Sequence, residues 1–151
     1  MNQKRNFENF DQTYSRKDID KIVVFGEISS TPIGKIWTAV SCSGLIAVGL
    51  IDQEEEFLNS VKRLFNNKKH STPKLLNIEI LLKPNNNHNV YPQNNILHEV
   101  NHQISDYLHG FRQEFDFKID WSLITDFQEL VLRATFRIPY GSVLTYADIA
   151  V

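Results

Sequence analysis

The N-terminal half of the chain contains three runs of β-branched and aromatic residues separated by short turns. The runs cover residues 22–28, 35–42 and 45–51, and such residues favour strands. The links, residues 31–34 and Ser43-Gly44, contain the proline and glycines that favour turns. Parallel neighbours would need long crossovers, so these short links predict an antiparallel meander.

Three later stretches place apolar residues at helical spacing. The first is predicted to begin at a capping box of Asp52 and Glu55, with an apolar face from Phe57 to Phe65. The second covers residues 96–108 and ends near Gly110, and the third begins at a capping box of Asp126 and Glu129. Residues 66–95 are less regular, and their apolar run at 75–82 predicts one strand or short helix.

Residues 115–121 alternate between apolar and polar types, which predicts a further strand. Its apolar positions are Phe115, Phe117, Ile119 and Trp121. Trp37 and Trp121 therefore both fall at strand positions and are expected to pack in a core.

Composition restricts the class of protein. The chain has 151 residues, 42% of them hydrophobic, which is enough for one core and a small second domain. Its net charge of −2 gives no electrostatic reason to expect a polyanionic partner. No apolar run approaches the roughly 20 residues of a membrane-spanning helix, so no membrane partner is expected. Residues 1–20 are polar and charged, typical of a disordered segment, and contain no secretory signal, so the expected location is the cytoplasm.

A short metal-binding pattern, His98-Glu99-Val100-Asn101-His102, lies in the second predicted helix. Two histidines four positions apart can share a zinc ion with the glutamate as general base, which makes a zinc hydrolase an alternative function. The third ligand would have to come from His109 or Glu114, and neither matches the extended zincin patterns. We therefore favour a surface helix, with no metal bound.

Cys42 is the one cysteine of the chain, which excludes an internal disulfide and any zinc site of paired cysteines. It lies between two serines, without a nearby histidine or arginine that would favour its thiolate. We expect an inert, partly buried residue.

A final capping box, Thr145 with Asp148, opens a helix that has six residues, 146–151, in this sequence. Tyr146 lies in its first turn, where a phenol and helix amides can meet a phosphate, or where the ring can pack on the preceding helix. A helix this short does not repay its nucleation cost. We therefore expect the sequence to be a fragment.

Three C-terminal segments together resemble one protein family. They are Phe127-Gln128-Glu129-Leu130-Val131-Leu132, Ile138-Pro139-Tyr140-Gly141 and Thr145-Tyr146-Ala147-Asp148-Ile149-Ala150. Their sequences and spacing are similar to those of the O6-alkylguanine-DNA alkyltransferases, the methylated-DNA-protein-cysteine methyltransferases, with Leu132 replacing a usual Trp and Thr145 a usual Ser. Residues 31–34, Gly44-Leu45 and 107–117 also match the family pattern, so the resemblance covers residues 22–151.

The resemblance implies a mixed α/β (α+β) fold in two parts. A ribonuclease-H-like domain at residues 21–121 is followed by the start of an all-α winged helix-turn-helix domain at 122–151. In this family the second domain docks in the DNA minor groove and flips the damaged base out.

The resemblance also implies an activity, the irreversible transfer of an alkyl group from O6-alkylguanine in double-stranded DNA to a protein cysteine. The acceptor motif would lie beyond Val151, and Cys42 does not replace it, so we expect this fragment to be inactive. Gln128, Thr145 and Tyr146 are the implied DNA contacts, no cofactor is implied, and a monomer is expected, in the nucleus if the source is eukaryotic. The alternative is a non-enzymatic remnant or binding module.

Overall fold

A computed structural model describes residues 22–66, 80–82 and 91–149 of the chain. The predicted meander is confirmed: β1 (Ile22–Ile28), β2 (Ile36–Ser41) and β3 (Gly44–Gly49) are joined as antiparallel neighbours. A further strand, β4 (Ile80–Leu82), pairs with β1 in parallel and gives the sheet order β3-β2-β1-β4. The run at 75–82 therefore contains a strand, while residues 1–20 and most of 66–95 lie outside the described residues.

Four helices are described: α1 (Glu54–Asn66), α2 (Pro92–Leu108), α3 (Asp126–Phe136) and α4 (Tyr146–Ile149). Helix α2 begins four residues before the predicted position 96 because Pro92 occupies its first turn, where the missing N–H costs no intrahelical bond. Gly110 ends this helix with a φ of 79°, as predicted. No helix of the described part is long and apolar enough to cross a membrane.

The sheet is covered by one helix on each face. Helix α1 covers one face with Phe57 and Val61, which pack with Trp37, and helix α2 covers the other with Val100 and Ile104. Phe57 stacks on Trp37 with ring centroids 6.1 Å apart, so the predicted core position of Trp37 is confirmed. The two helices and the sheet between them therefore form three layers, with one buried cluster on each face of the sheet.

Helix α2 lies unusually close to β1 and β2. A Cβ at Gly26 would stand 3.0 Å from Leu97 Cδ2, so this contact depends on the absence of a side chain. One turn further along, the buried Thr38 hydroxyl donates to Asn101 Oδ1 at 2.5 Å. These contacts fix the position of the middle of α2 over the sheet.

The predicted strand at 115–121 is wrong except for one isolated bridge between Leu45 and Ile119. The segment instead follows the end of α2, where the buried Gln103 side chain accepts a hydrogen bond from the backbone N–H of Asp116 at 3.0 Å. Trp121 is not in a strand but begins a 3-10 helix (Trp121–Leu123) capped by the Asp120 carboxylate. The alternation of apolar and polar residues at 115–121 therefore comes from a segment that packs along a helix, and not from a strand paired in a sheet.

Helix α3 begins one residue away from the predicted capping box. The box is formed by Thr125 and Gln128 rather than by Asp126 and Glu129. Glu129 instead accepts a hydrogen bond from Arg133 Nε at 2.7 Å. No residue of α3 is buried, which distinguishes this helix from α1 and α2.

Candidate nucleic-acid interface

The C-terminal segment forms a helix, a turn and a short second helix. After α3, Ser142 N–H donates to the Pro139 carbonyl at 3.0 Å, and Gly141 takes a φ of 78°, which a glycine adopts without strain. The turn leads to α4, whose first residue is Tyr146. Large apolar side chains of this segment point into solvent: Phe127, Leu130, Leu132, Phe136, Tyr140, Val143, Leu144 and Tyr146.

Thr145 and Asp148 form the capping box that their spacing predicts. The Thr145 hydroxyl donates to Asp148 Oδ2 at 2.6 Å, and the Thr145 N–H donates to the same oxygen at 2.8 Å. These two hydrogen bonds hold the pKa of the Asp148 carboxyl below its ordinary value. The Thr145 hydroxyl is therefore already engaged within the helix terminus.

Gln128 also takes part in a capping box, with Thr125 at the start of α3. Its Oε1 accepts from the backbone N–H of Thr125 at 2.9 Å and from the Thr125 hydroxyl at 3.1 Å. The Gln128 N–H donates in return to Thr125 Oγ1 at 3.3 Å. The side-chain oxygen holds the start of α3, and the side chain remains exposed at the surface.

Tyr146 has a different environment from the two capping residues. It is 89% exposed, so its ring does not pack on α3, and the packed alternative left open by the sequence is wrong. An exposed phenol at the first turn of a helix is available to an incoming ligand, as the sequence predicts for a DNA contact. Its role as a DNA contact stays a prediction.

The segment is oriented on the domain by two contacts. Tyr140 in the turn packs edge-on against Tyr107 of α2, with ring centroids 5.5 Å apart. The Arg133 guanidinium lies over the Trp121 ring, 4.4 Å from its centroid. Trp121 is thus a docking residue for α3 instead of a strand core residue.

The family-like motif at residues 107–117 has a structural function here. Arg112 Nη1 donates to Gln103 Oε1 at 3.1 Å and lies 3.6 Å from Asp116 Oδ1. Phe115 packs on Tyr107 with ring centroids 4.7 Å apart. These contacts tie the segment after α2 to the helix that it follows.

The His98-Glu99-His102 pattern does not converge on a point. Both histidines are exposed, and their rings lie stacked with centroids 6.5 Å apart. His102 Nδ1 faces Asp106 Oδ2 at 3.1 Å, while Glu99 accepts from Gln103 Nε2 at 2.6 Å. Across residues 22–66, 80–82 and 91–149, no three suitable side chains are grouped to hold a metal.

The other candidate residues of the sequence do not join such a group. His109 Nδ1 lies 2.7 Å from the Ser105 carbonyl, its own helix, and Glu114 engages Arg112 through its backbone carbonyl at 3.1 Å. Cys42 is exposed in the β2–β3 turn, so the expectation of partial burial is wrong. The thiol lies 3.9 Å from the Ser43 hydroxyl.

Sequence reasoning missed an apolar groove between α2, β3 and α3. Its volume is about 640 Å³, and the apolar lining includes Val48, Leu50, Tyr107 and Phe136. Arg133 and Arg137 are the charged residues of this lining. The apolar residues of the β3 region can be read from the sequence. The groove, however, is also lined by residues of α3, which lie more than 80 positions further along the chain, so the sequence alone does not indicate it.

The arrangement of a three-stranded meander, a parallel fourth strand and a helix on each face defines a ribonuclease-like α/β domain. The sequence profile of the 6-O-methylguanine DNA methyltransferase ribonuclease-like domain matches residues 24–121. The chain belongs to this methyltransferase family. Comparison with curated protein sequences gives no significant match.

Solved structures with the same fold include proteins of Mycobacterium tuberculosis. Its O6-methylguanine methyltransferase has a TM-score of 0.56 at 24% identity, over 85% of this chain and 59% of that chain. A single-residue variant of that enzyme gives 0.55 at 25% identity, over 85% and 59%. The OGT protein of that organism in complex with DNA gives 0.54 at 24% identity, over 84% and 59%. The chain thus spans 59% of the length of the structures it matches.

Proposed function

We propose that this chain is part of a DNA-repair protein that transfers an alkyl group directly and irreversibly from O6-alkylguanine in double-stranded DNA to a protein cysteine. The observation that carries the proposal is the family match over residues 24–121, joined to the helix, turn and short second helix that follow it. A related fold has been solved in complex with DNA. The described residues would supply the supporting domain and the first DNA contacts.

The proposed reaction is a substitution at the alkyl carbon. A thiolate sulfur forms the new S–C bond, the bond between the alkyl carbon and O6 breaks, and the released guanine takes the electron pair and a proton. The stable thioether makes one protein molecule repair one lesion. The reaction therefore requires a thiol close to the flipped base.

Cys42 is the one thiol in these 151 residues, and we propose that it does not serve as the acceptor. It lies in the turn between β2 and β3, whereas the proposed DNA contacts lie in α3 and α4. The polypeptide as given should therefore transfer no alkyl group.

Label transfer tests this statement. The protein is incubated with duplex DNA that carries radiolabelled O6-methylguanine, and the label on protein is counted. The matched variant Cys42→Ser should give the same background as the unchanged chain. Stoichiometric label on the unchanged chain that disappears in the variant would overturn the proposal.

The proposed DNA contacts are Tyr146 through its exposed phenol, Gln128 through its side-chain amide, and Thr145 at the start of α4. The charge of the segment does not favour tight binding, because residues 122–149 hold Arg133 and Arg137 against Asp126, Glu129 and Asp148, two minus three, or −1. Neutralisation of phosphates dominates affinity for DNA. We expect weak binding by these residues alone.

A salt titration of binding tests this expectation. The anisotropy of a labelled duplex is measured between low and physiological salt, with Tyr146→Ala as the variant and His98→Ala, on the exposed face of α2, as the control. We expect a shallow salt slope, weaker binding by Tyr146→Ala, and no effect of the control. Tight binding with a steep salt slope, or equal effects of the two variants, would contradict the assignment.

A further inference from the structure

The groove between α2, β3 and α3 exposes apolar side chains that a folded protein normally covers. Leu50 is 66% exposed, Val48 51% and Phe136 70%, and they line one continuous space of about 640 Å³. Contiguous exposed apolar surface of this kind marks an interaction site. The occupant should present several large apolar side chains.

The rim of the groove adds a charge requirement. Arg133 is engaged, since its Nε donates to Glu129 and its guanidinium lies over Trp121. Arg137 lines the same groove, and its guanidinium makes no hydrogen bond or ion pair with the part of the chain that the structure describes. A carboxylate on the occupant would therefore complement the rim at Arg137.

We propose that residues 7–14 of this same chain occupy the groove. This stretch, Phe-Glu-Asn-Phe-Asp-Gln-Thr-Tyr, has three aromatic residues and two carboxylates, from Glu8 and Asp11, and no cation. Phe7, Phe10 and Tyr14 follow one another at intervals of three and four positions, so eight residues supply three large aromatic side chains. The aromatic residues of this segment match the apolar lining of the groove, and its carboxylates match Arg137 at the rim. The proposal does not depend on the DNA-repair function.

The connection to the domain is long enough for this placement. Val24 of β1 is the register partner of Val40, which pairs with Leu45 at the edge of the groove. Two strand spacings amount to about 10 Å. Residues 15–21 connect the segment to β1, and seven extended residues reach roughly 25 Å. The tether therefore keeps the segment at a high local concentration near the groove.

Disulfide trapping in the whole chain tests the proposal. In a Cys42→Ser background, Asn9→Cys is combined with Leu50→Cys on the exposed rim of the groove. The control combines Asn9→Cys with Asn59→Cys, which is exposed on α1 on the opposite face of the sheet. A disulfide requires Cβ atoms about 4 Å apart, so it reports proximity.

We expect the groove pair to form an intramolecular disulfide on the order of tenfold faster than the control pair, since only a docked tether raises the local thiol concentration at the groove. Adding Phe7→Ala with Phe10→Ala, or Arg137→Glu, should bring the rate of the groove pair down to that of the control. Equal rates for the two pairs would overturn the proposal. A cross-linked dimer would also overturn it and assign the groove to a second copy.

The fluorescence of Trp121 gives a second readout without added cysteines. Trp121 lines the groove, whereas Trp37 is buried under α1 on the other face of the sheet. Docking should shield Trp121, so Phe7→Ala with Phe10→Ala should shift its emission to the red and increase its quenching by iodide. Unchanged emission and quenching would contradict docking in the groove.

Discussion

Gln103 holds the segment after α2 in place, and its replacement is the sharpest test of this part of the fold. The residue is fully buried, and its amide donates to Glu99 Oε1 and to Asp116 Oδ1. Its Oε1 accepts from the Asp116 N–H at 3.0 Å and from Arg112 Nη1 at 3.1 Å. One side chain thus makes three hydrogen bonds between the helix and residues 112–116, and a fourth within the helix to Glu99.

Gln103→Leu keeps the size of the side chain and removes all four bonds. Glu99 is exposed and the Asp116 side chain is 75% exposed, so water replaces the Gln103 amide at both carboxylates. The loss is concentrated at the Asp116 N–H and at Arg112, where a net bond is worth about 0.5–1.5 kcal/mol to a neutral partner and more to a charged one. We expect the free energy of unfolding to fall by about 1–3 kcal/mol.

Gln103→Glu separates hydrogen bonding from packing. It keeps an acceptor for Arg112 and for the Asp116 N–H but places a third carboxylate beside those of Glu99 and Asp116. Repulsion between like charges should make it less stable than Gln103→Leu at neutral pH, and the difference should shrink as the pH falls and the introduced carboxylate is protonated.

Urea denaturation followed by circular dichroism measures both variants, and Gln113→Leu is the control because Gln113 is exposed on the same segment. The control should change the free energy of unfolding by less than about 0.5 kcal/mol. If all three variants have the same stability, Gln103 does not hold this segment through its side chain. A Gln103→Glu variant that is at least as stable as Gln103→Leu at neutral pH would show that the acceptor bonds to Arg112 and the Asp116 N–H outweigh the repulsion between the carboxylates.

Three further predictions concern turns and the C-terminal segment. Gly44→Ala should destabilise the fold by about 3 kcal/mol or more, because φ is 139° and a Cβ would collide with the Lys118 carbonyl, whereas Gly34→Ala, with φ of 96° and open space, should cost about 1 kcal/mol in thermal unfolding. Thr145→Ala should raise the Asp148 pKa towards its ordinary value, and an unchanged NMR titration of this carboxyl would contradict the prediction. In the unchanged chain, the stabilisation of the fold by the ionised Asp148 carboxylate is complete above the unfolded-state pKa and is lost as the pH falls through the folded-state pKa. Tyr146→Ala should leave the denaturation midpoint within error, since the ring is 89% exposed, and a clear loss would mean that the ring packs.

The meander could be predicted from sequence because its determinants are local. Strand residues, a proline and glycines, and links of a few residues leave one arrangement for neighbouring strands. The observed pairings Val24–Val40 and Trp37–Gly49 belong to these two antiparallel neighbours. The parallel strand β4 needed a partner distant in sequence, and the apolar run alone did not distinguish strand from helix.

The strand prediction at 115–121 failed because period-two alternation is not specific to a ladder. A chain that lies along a helix also turns alternate side chains inward, as Phe115 and Phe117 do against α2. What decides between the two is the partner of the backbone, and here the buried side chain of Gln103 takes the Asp116 N–H. That partner cannot be recognised from local sequence.

The candidate DNA contacts show why a site is harder to predict than an element. Side chains that cap a helix and side chains that bind a phosphate have the same oxygen and nitrogen groups, and both are found at helix starts. Gln128 and Thr145 are engaged in capping, while Tyr146 is left exposed. Spacing identified the helix starts correctly at Thr145 and missed by one residue at Asp126, because two adjacent residue pairs there both fit a capping box.

The buried core and the proposed DNA contacts are located in different parts of the described chain. Helices α1 and α2 bury side chains in the two core clusters, but α3 buries none, and α4 has four residues. A helix that short has no intrinsic stability, so its position depends on the capping box at Thr145 and on the contacts of the preceding helix and turn. The edge contact of Tyr140 with Tyr107 and the Arg133 guanidinium over Trp121 set the orientation of that helix and turn. Substitutions at these contacts should therefore displace the proposed DNA contacts while leaving the core of the ribonuclease-like domain intact.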